Sequence, residues 1–325
     1  MALPPILRDR LRLPVVASPM FIVSAPDLVI AQCTSGVIGS FPSLNARPQA
    51  LLREWLICIT EALAKHDANH PESPAAPYAV NLIVHRSNDR LAEDLATIVE
   101  FEVPVVITSL GARTDVNDAI HSYGGIVLHD VINNTFARKA IEKGADGLIA
   151  VAAGAGGHAG TQSPFALIQE IRAWFDGPLL LSGSIAHGRS ILAAQAAGAD
   201  LAYVGSAFIA TEEANADSRY KQMIVDSSAS DVVYSNLFTG VHGNYLRGSI
   251  EAAGLDPDHL EQSDPSAMNF GTGDSMNSAP KAKPWRDIWG SGQGIGAVDA
   301  VVPAAELIAR LTDEYDEAKA ALARQ

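Results

Sequence analysis

Residues Pro178–Phe208 read PLLLSGSIAHGRSILAAQAAGADLAYVGSAF. Two short apolar runs each end in a glycine–serine pair, Gly183-Ser184 and Gly205-Ser206, with a helical pattern between them. Unbroken apolar runs suit strands buried on both faces, as in a parallel sheet covered by helices. The same alternation extends in both directions along the chain. It predicts eight strands: Val15–Met20, Gly36–Phe41, Tyr78–Ile83, Val103–Leu110, Gly125–Val131, Gly147–Ala153, Pro178–Ile185 and Leu201–Phe208. Leu52, Leu56, Ile59 and Leu63 make an apolar helical stripe between two of them, and Leu91, Leu95 and Ile98 make another. Ser163-Pro164 supplies a cap followed by a first-turn proline. Eight βα units within about 210 residues predict an α/β protein of the (β/α)8 TIM-barrel class. A doubly wound open sheet is the alternative.

The pattern changes after Thr211. Residues 212–285 are more polar and rich in turn signals, which predicts a smaller inserted, partly helical lid or substrate domain. Residues 1–211 and 286–325 then form the barrel. Val302–Ala323 resumes helical order and is expected to be the eighth barrel helix, displaced in sequence. Gly271–Lys283 is poor in apolar residues and is expected to be mobile.

Of the 325 residues, 48% are hydrophobic but only 6% aromatic, so the core is built mainly of Ala, Val, Ile and Leu. The net charge of −14 argues against a nucleic-acid partner, which requires a basic face. A small anion is still admissible, because local dipoles can hold it. Cys33 and Cys58 lack metal-ligand spacing and are expected to be buried, inert thiols; no metal is predicted. No run reaches the roughly 18 apolar residues of a membrane span. A soluble cytoplasmic protein is expected, and its oligomeric state is left open.

In a barrel, chemistry gathers where strands end and βα loops begin. The seventh and eighth junctions hold Gly183-Ser184 and Gly205-Ser206, 22 residues apart. Glycine lets backbone N–H groups approach a phosphate, serine adds a hydroxyl, and loops seven and eight are a recurrent phosphate site. The sixth junction, Ala153-Gly154-Ala155-Gly156-Gly157-His158-Ala159-Gly160, places one histidine among small residues that let a planar ligand come close. His158 is therefore the candidate proton donor or acceptor. His129 ends strand five beside Asp130 and either lines the pocket or forms a structural pair. Asn81 is a polar group inside an apolar strand and needs a partner. Pro19 and Met20 end strand one, where they can wall an aromatic ring.

At these residues the chain resembles the nitronate monooxygenase family, formerly the 2-nitropropane dioxygenases. The matching pieces are Ser18-Pro19-Met20, Val80-Asn81-Leu82, Gly156-Gly157-His158-Ala159-Gly160, Ser182-Gly183-Ser184, Gly205 to Thr211, and Trp289-Gly290-Ser291-Gly292-Gln293-Gly294. They occur in family order across nearly the whole chain. The resemblance implies an FMN-binding barrel with His158 as the active-site histidine. It implies FMN contacts from Met20, Asn81, Gly183, Ser184, Gly205 and Ser206, with Gly290–Gln293 beside the flavin or its phosphate. Pro19, His129, Gly156 and Gly157 complete the expected cofactor site. Two departures stand out. Some members carry lysine where this chain has Asp130, and many carry glycine or threonine at the positions of Ser184 and Ser206.

The activity implied is FMN-dependent oxidation of an alkyl nitronate or nitroalkane by O2 to a carbonyl compound and nitrite. An NAD(P)H-dependent flavin reductase of a quinone or enoyl thioester is the alternative, with NAD(P)H as reductant. A flavin-free, phosphate-binding lyase or isomerase, or a non-catalytic flavin-binding protein, would account for the phosphate turns with different chemistry.

Overall fold

The computed structural model describes residues 3–264 and 287–324. Its strands are β1 (Val15–Ala17), β2 (Gly39–Pro42), β3 (Tyr78–Ile83), β4 (Val105–Ser109), β5 (Ile126–Val131), β6 (Gly147–Val151), β7 (Gly157–His158), β8 (Leu179–Ser182), β9 (Leu201–Val204), β10 (Val232–Ser235) and β11 (Gly243–Leu246). Eight of them form one parallel sheet in the order β1-β9-β8-β6-β5-β4-β3-β2. A parallel bridge between Val16 and Ile38 joins the two ends of that order. The result is the TIM barrel that the alternating pattern predicts.

Period-two alternation explains how the barrel is filled. Val16, Ala79, Ile107, Leu128, Ile149 and Leu180 point inward and pack on one another. Leu7, from a short 3-10 turn at Pro5–Leu7, joins this interior cluster near the first residues of the strands. Their neighbours in the opposite phase, such as Val80, Val106, Val127, Leu148 and Ala202, pack outward against helices. Those helices are α1 (Pro26–Thr34), α2 (Leu51–Asn69), α3 (Leu91–Glu100), α4 (Thr114–His121), α5 (Asn134–Glu142), α6 (Pro164–Arg172) and α7 (Gly188–Ala197). After the four-residue α8 (Ser206–Ile209) the chain leaves the barrel.

The excursion contains α9 (Ser218–Asp226), β10, β11 and α10 (Arg247–Ala252). Phe238, Tyr245, Ile250 and Ile288 give it a small core of its own. Its exit and return lie side by side. Thr211 bridges Val302, and the Glu213 carboxylate accepts the Ala304 N–H at the start of α11 (Ala304–Ala323). Helix α11 then packs against α7 and α1, the place of an eighth barrel helix. Gly271–Lys283 lies outside the described residues.

Three expectations need correction. Strand β1 stops at Ala17, because the chain turns at Ser18-Pro19 and proline has no N–H for the ladder. Ala207 and Phe208 belong to the turn of helix α8, not to strand β9. Cys33 is buried, but Cys58 is exposed on the outer face of α2. Among the described residues no helix is long and apolar enough to cross a membrane, and no cluster of His, Cys, Asp and Glu is arranged to hold a metal ion.

Candidate active site

The alternation that fills the barrel also builds the site. Two residues beyond each inward apolar side chain lies the next inward position, and at the C-terminal strand ends these positions turn polar, except on β6, where Val151 follows Ile149. The polar positions are Ser18, Asn81, Ser109, Asp130, Ser182 and Tyr203, and all six line a cavity of about 1670 Å³. This polar ring is its floor.

Within the ring, hydrogen bonds run in one direction. Asn81 Nδ2 donates to the Ile107 carbonyl at 3.0 Å and to Ser109 Oγ at 2.7 Å. Ser109 Oγ donates in turn to Asp130 Oδ2 at 2.7 Å. The carbonyl partner fixes which side of the amide is nitrogen, so Asn81 Oδ1 is the polar atom left for an occupant. The Asp130 carboxyl opens onto the cavity but is otherwise enclosed by protein. Burial pushes its pKa up to about 6, against the pull of its bonds from Ser109 and the Leu110 N–H.

One end of the cavity is formed by the glycine turns. Gly183, Ser184, Gly205 and Ser206 line it, together with Gly156, Gly157 and Gly290. Ser184 has φ of 58°, the left-handed region that favours glycine. The Ser184 N–H is spent on Gly154 O at 3.1 Å, so its hydroxyl is the donor it offers. Ser206 Oγ accepts the Gly292 N–H at 2.8 Å and keeps its own hydrogen. The packing behind these turns leaves no room for side chains. A Cβ on Gly292 would lie 2.8 Å from Gly154 O and 3.0 Å from Gly156 N. Gln293 is absent from the cavity wall. Its N–H donates to Gly154 O at 2.9 Å, so it braces the turn from behind.

His158 lines the same cavity but is held differently. It forms the two-residue β7, which pairs antiparallel with β11 of the excursion, His158 opposite Gly243. Strand β10 completes a three-stranded sheet. The His158 Nε2 lies 3.2 Å from Thr239 Oγ1, whose own hydrogen goes to the Val241 carbonyl at 3.0 Å. That contact orients the ring. Asn244 Nδ2 ties the strand down further by donating to Ala155 O at 2.7 Å. The imidazole borders the cavity yet is enclosed on its other sides, and desolvation pulls its pKa to about 4. It is neutral at pH 7.

Pro19 and Met20 line the cavity near Gly205, and His129 lines it from β5. The His129 Nδ1 is 2.6 Å from Thr108 Oγ1, and burial lowers its pKa to about 4. It is thus both a wall residue and half of a structural pair. Sequence reasoning missed Ser18, Ser109, Ser182 and Tyr203, although counting two residues on from each inward apolar position finds them. Nothing in the sequence marked Thr239 or Asn244, whose roles depend on a sheet pairing distant segments.

The family model for nitronate monooxygenase matches residues 7–314. The chain belongs to the nitronate monooxygenase family. It is an oxidoreductase of a family that oxidises nitro compounds and is in general flavin-dependent. The nitronate monooxygenase of Paraburkholderia phytofirmans is 27% identical, over 94% of this chain and 92% of that protein. Among solved structures, nitroalkane oxidase from Streptomyces ansochromogenes superposes with a TM-score of 0.78 at 24% identity, covering 97% of this chain and 99% of the other. FabK from Thermotoga maritima superposes at 0.75 and 24%, covering 98% and 96%. These two likenesses establish the shared fold.

Proposed function

We propose that the cavity binds FMN and that the protein oxidises alkyl nitronates with O2, giving the carbonyl compound and nitrite. The observation that carries this reading is that the serine-bearing glycine turns, Asn81 and His158 all face one cavity in a chain of this family.

The residues present fit such a cofactor. Ligand pockets run to roughly 300–1,000 Å³, so this cavity has room for a mononucleotide and a substrate together. The Ser184 and Ser206 hydroxyls would donate to the phosphate. Asn81 Oδ1 would accept from a ring N–H, and Pro19 and Met20 would wall the ring. When bound, FMN supplies the electron transfer between substrate and dioxygen.

The protein's own contribution centres on His158. As a neutral imidazole it does not form a fixed ion pair before substrate arrives. A nitronate anion beside it offsets the cost of charging the ring and draws its pKa upward. His158 therefore stabilises the bound anion, or accepts the α-proton of a neutral nitroalkane. Thr239 orients the ring while this occurs.

Turnover with an alkyl nitronate in air tests the reading. Nitrite and carbonyl compound should form in equal amounts with uptake of O2. No nitrite, together with rapid anaerobic reduction by NADH or NADPH, would replace it with the reductase alternative. A protein that takes up no flavin would point to the flavin-free barrel.

A further inference from the structure

The proposed mechanism leaves one acid on the cavity floor unused. Asp130 lines the cavity floor, and among the described residues no arginine or lysine pairs with it. Its Oδ2 terminates the chain of donors that begins at Asn81, the residue assigned to the ring edge.

We propose that Asp130 is the charge-compensating group for the reduced cofactor, taking up one solvent proton when the bound ring is reduced. This rests on the FMN reading of the site. The balance is simple. Two electrons from an added reductant such as dithionite, and one proton, leave the ring with one net negative charge. A carboxylate lining the same cavity opposes that charge. One proton from solvent onto the Asp130 carboxylate removes the opposition, and reoxidation releases it.

The strands packed beside Asp130 bring no competing proton acceptor; His85, His242, Asp217 and Asp287 also line the cavity but come from other segments. Strand β4 contributes Thr108 and Ser109, and β6 contributes Ile149 and Val151, none of which titrates in the relevant range. Tyr203 on β9 is held well above its ordinary value by burial and by Asp130 itself, so it stays neutral. His129 and His158, both lowered to about 4, are neutral at pH 7. The cations Arg47, Lys139 and Arg219 line the cavity, but none forms an ion pair with Asp130, and Arg219 is paired with Asp217. Asp130, raised to about 6, is poised to gain a proton when negative charge arrives nearby.

The test is the midpoint potential of the FMN-loaded full chain from about pH 5 to about pH 9. The wild type should show a segment of steeper pH dependence that begins near pH 6. Asp130→Asn should shift the potential to more positive values at about pH 8, lose the steep segment, and converge with the wild type at about pH 5. Ser109→Ala keeps the charge but removes a donor to the carboxylate, so the steep segment should move to higher pH. An Asp130→Asn protein with bound FMN and an unchanged profile overturns the proposal. If that variant does not fold, an unmoved segment in Ser109→Ala overturns it instead. A wild type that takes up no FMN overturns the underlying reading, and the visible spectrum shows this before any potential is measured.

Discussion

Two walls of one cavity are made by different means. The wall at Gly183-Ser184 and Gly205-Ser206 ends strands β8 and β9, which are paired on both sides within the eight-stranded sheet. The wall bearing His158 is a two-residue strand whose partner, β11, comes from the excursion. The first is positioned by the barrel ladder and by backbone packed on backbone. The second is positioned by Thr239, Asn244 and a pairing some 85 residues away in sequence. Damage to the first wall should therefore cost cofactor and stability, and damage to the second should cost turnover.

His158→Ala should show the second behaviour at its largest. We expect kcat/KM for nitronate to fall about 10²–10⁴-fold, the usual worth of a positioned acid–base group, with FMN content unchanged. Steady-state kinetics beside a cofactor assay checks it, and full activity would break the contrast.

Gly292→Ala should show the first. Its Cβ would press on the backbone at Gly154 and Gly156, neither of which can rotate away. Overpacking of this kind costs about 1–3 kcal/mol, so thermal unfolding should move down and FMN affinity should fall with it. Retained stability together with lost turnover would merge the two walls into one.

Thr239→Val removes the oxygen that orients His158 and leaves the volume similar. A loss of about 1 kcal/mol corresponds to roughly fivefold in kcat, with FMN affinity unaffected, and Thr239→Ser should restore the rate.

The smallest effect concerns His129, which belongs to the barrel itself. Its folded pKa of about 4 lies below the unfolded value of roughly 6.5, so the unfolded chain takes the proton first. Its contribution to stability is complete above about pH 6.5 and is lost as pH falls towards 4. Asp130, raised to about 6, works in the opposite sense, adding stability as pH falls below that value. His129→Gln should consequently flatten the acid limb of the stability–pH curve measured by denaturant unfolding.

The contrast also decides what was legible in the sequence. Continuous apolar runs such as Leu179-Leu180-Leu181 announce strands buried on both faces, and each of the eight barrel strands overlaps its predicted segment. Strand ends were read too long where apolar residues continue into turns, as at Ala207-Phe208. The glycine turns could be read because their chemistry is local. His158 could be read as a residue but not as part of a sheet, since Gly157-His158 is too short to carry a strand pattern. Val232–Ser235 and Gly243–Leu246 escaped because they lack a long unbroken apolar run and lie in a polar, turn-rich segment. Gln293 fell among site residues through its neighbours, and only the packing shows it behind the wall.

The central claim is that one cavity brings an FMN site and His158 together for nitronate oxidation. The most direct test is to mix the FMN-loaded protein anaerobically with an alkyl nitronate and, separately, with NADH and NADPH, following the flavin absorbance. The account predicts bleaching by the nitronate, restored by O2 with release of nitrite, and slowed at least about 100-fold by His158→Ala. Bleaching by a reduced nicotinamide but not by the nitronate would contradict it.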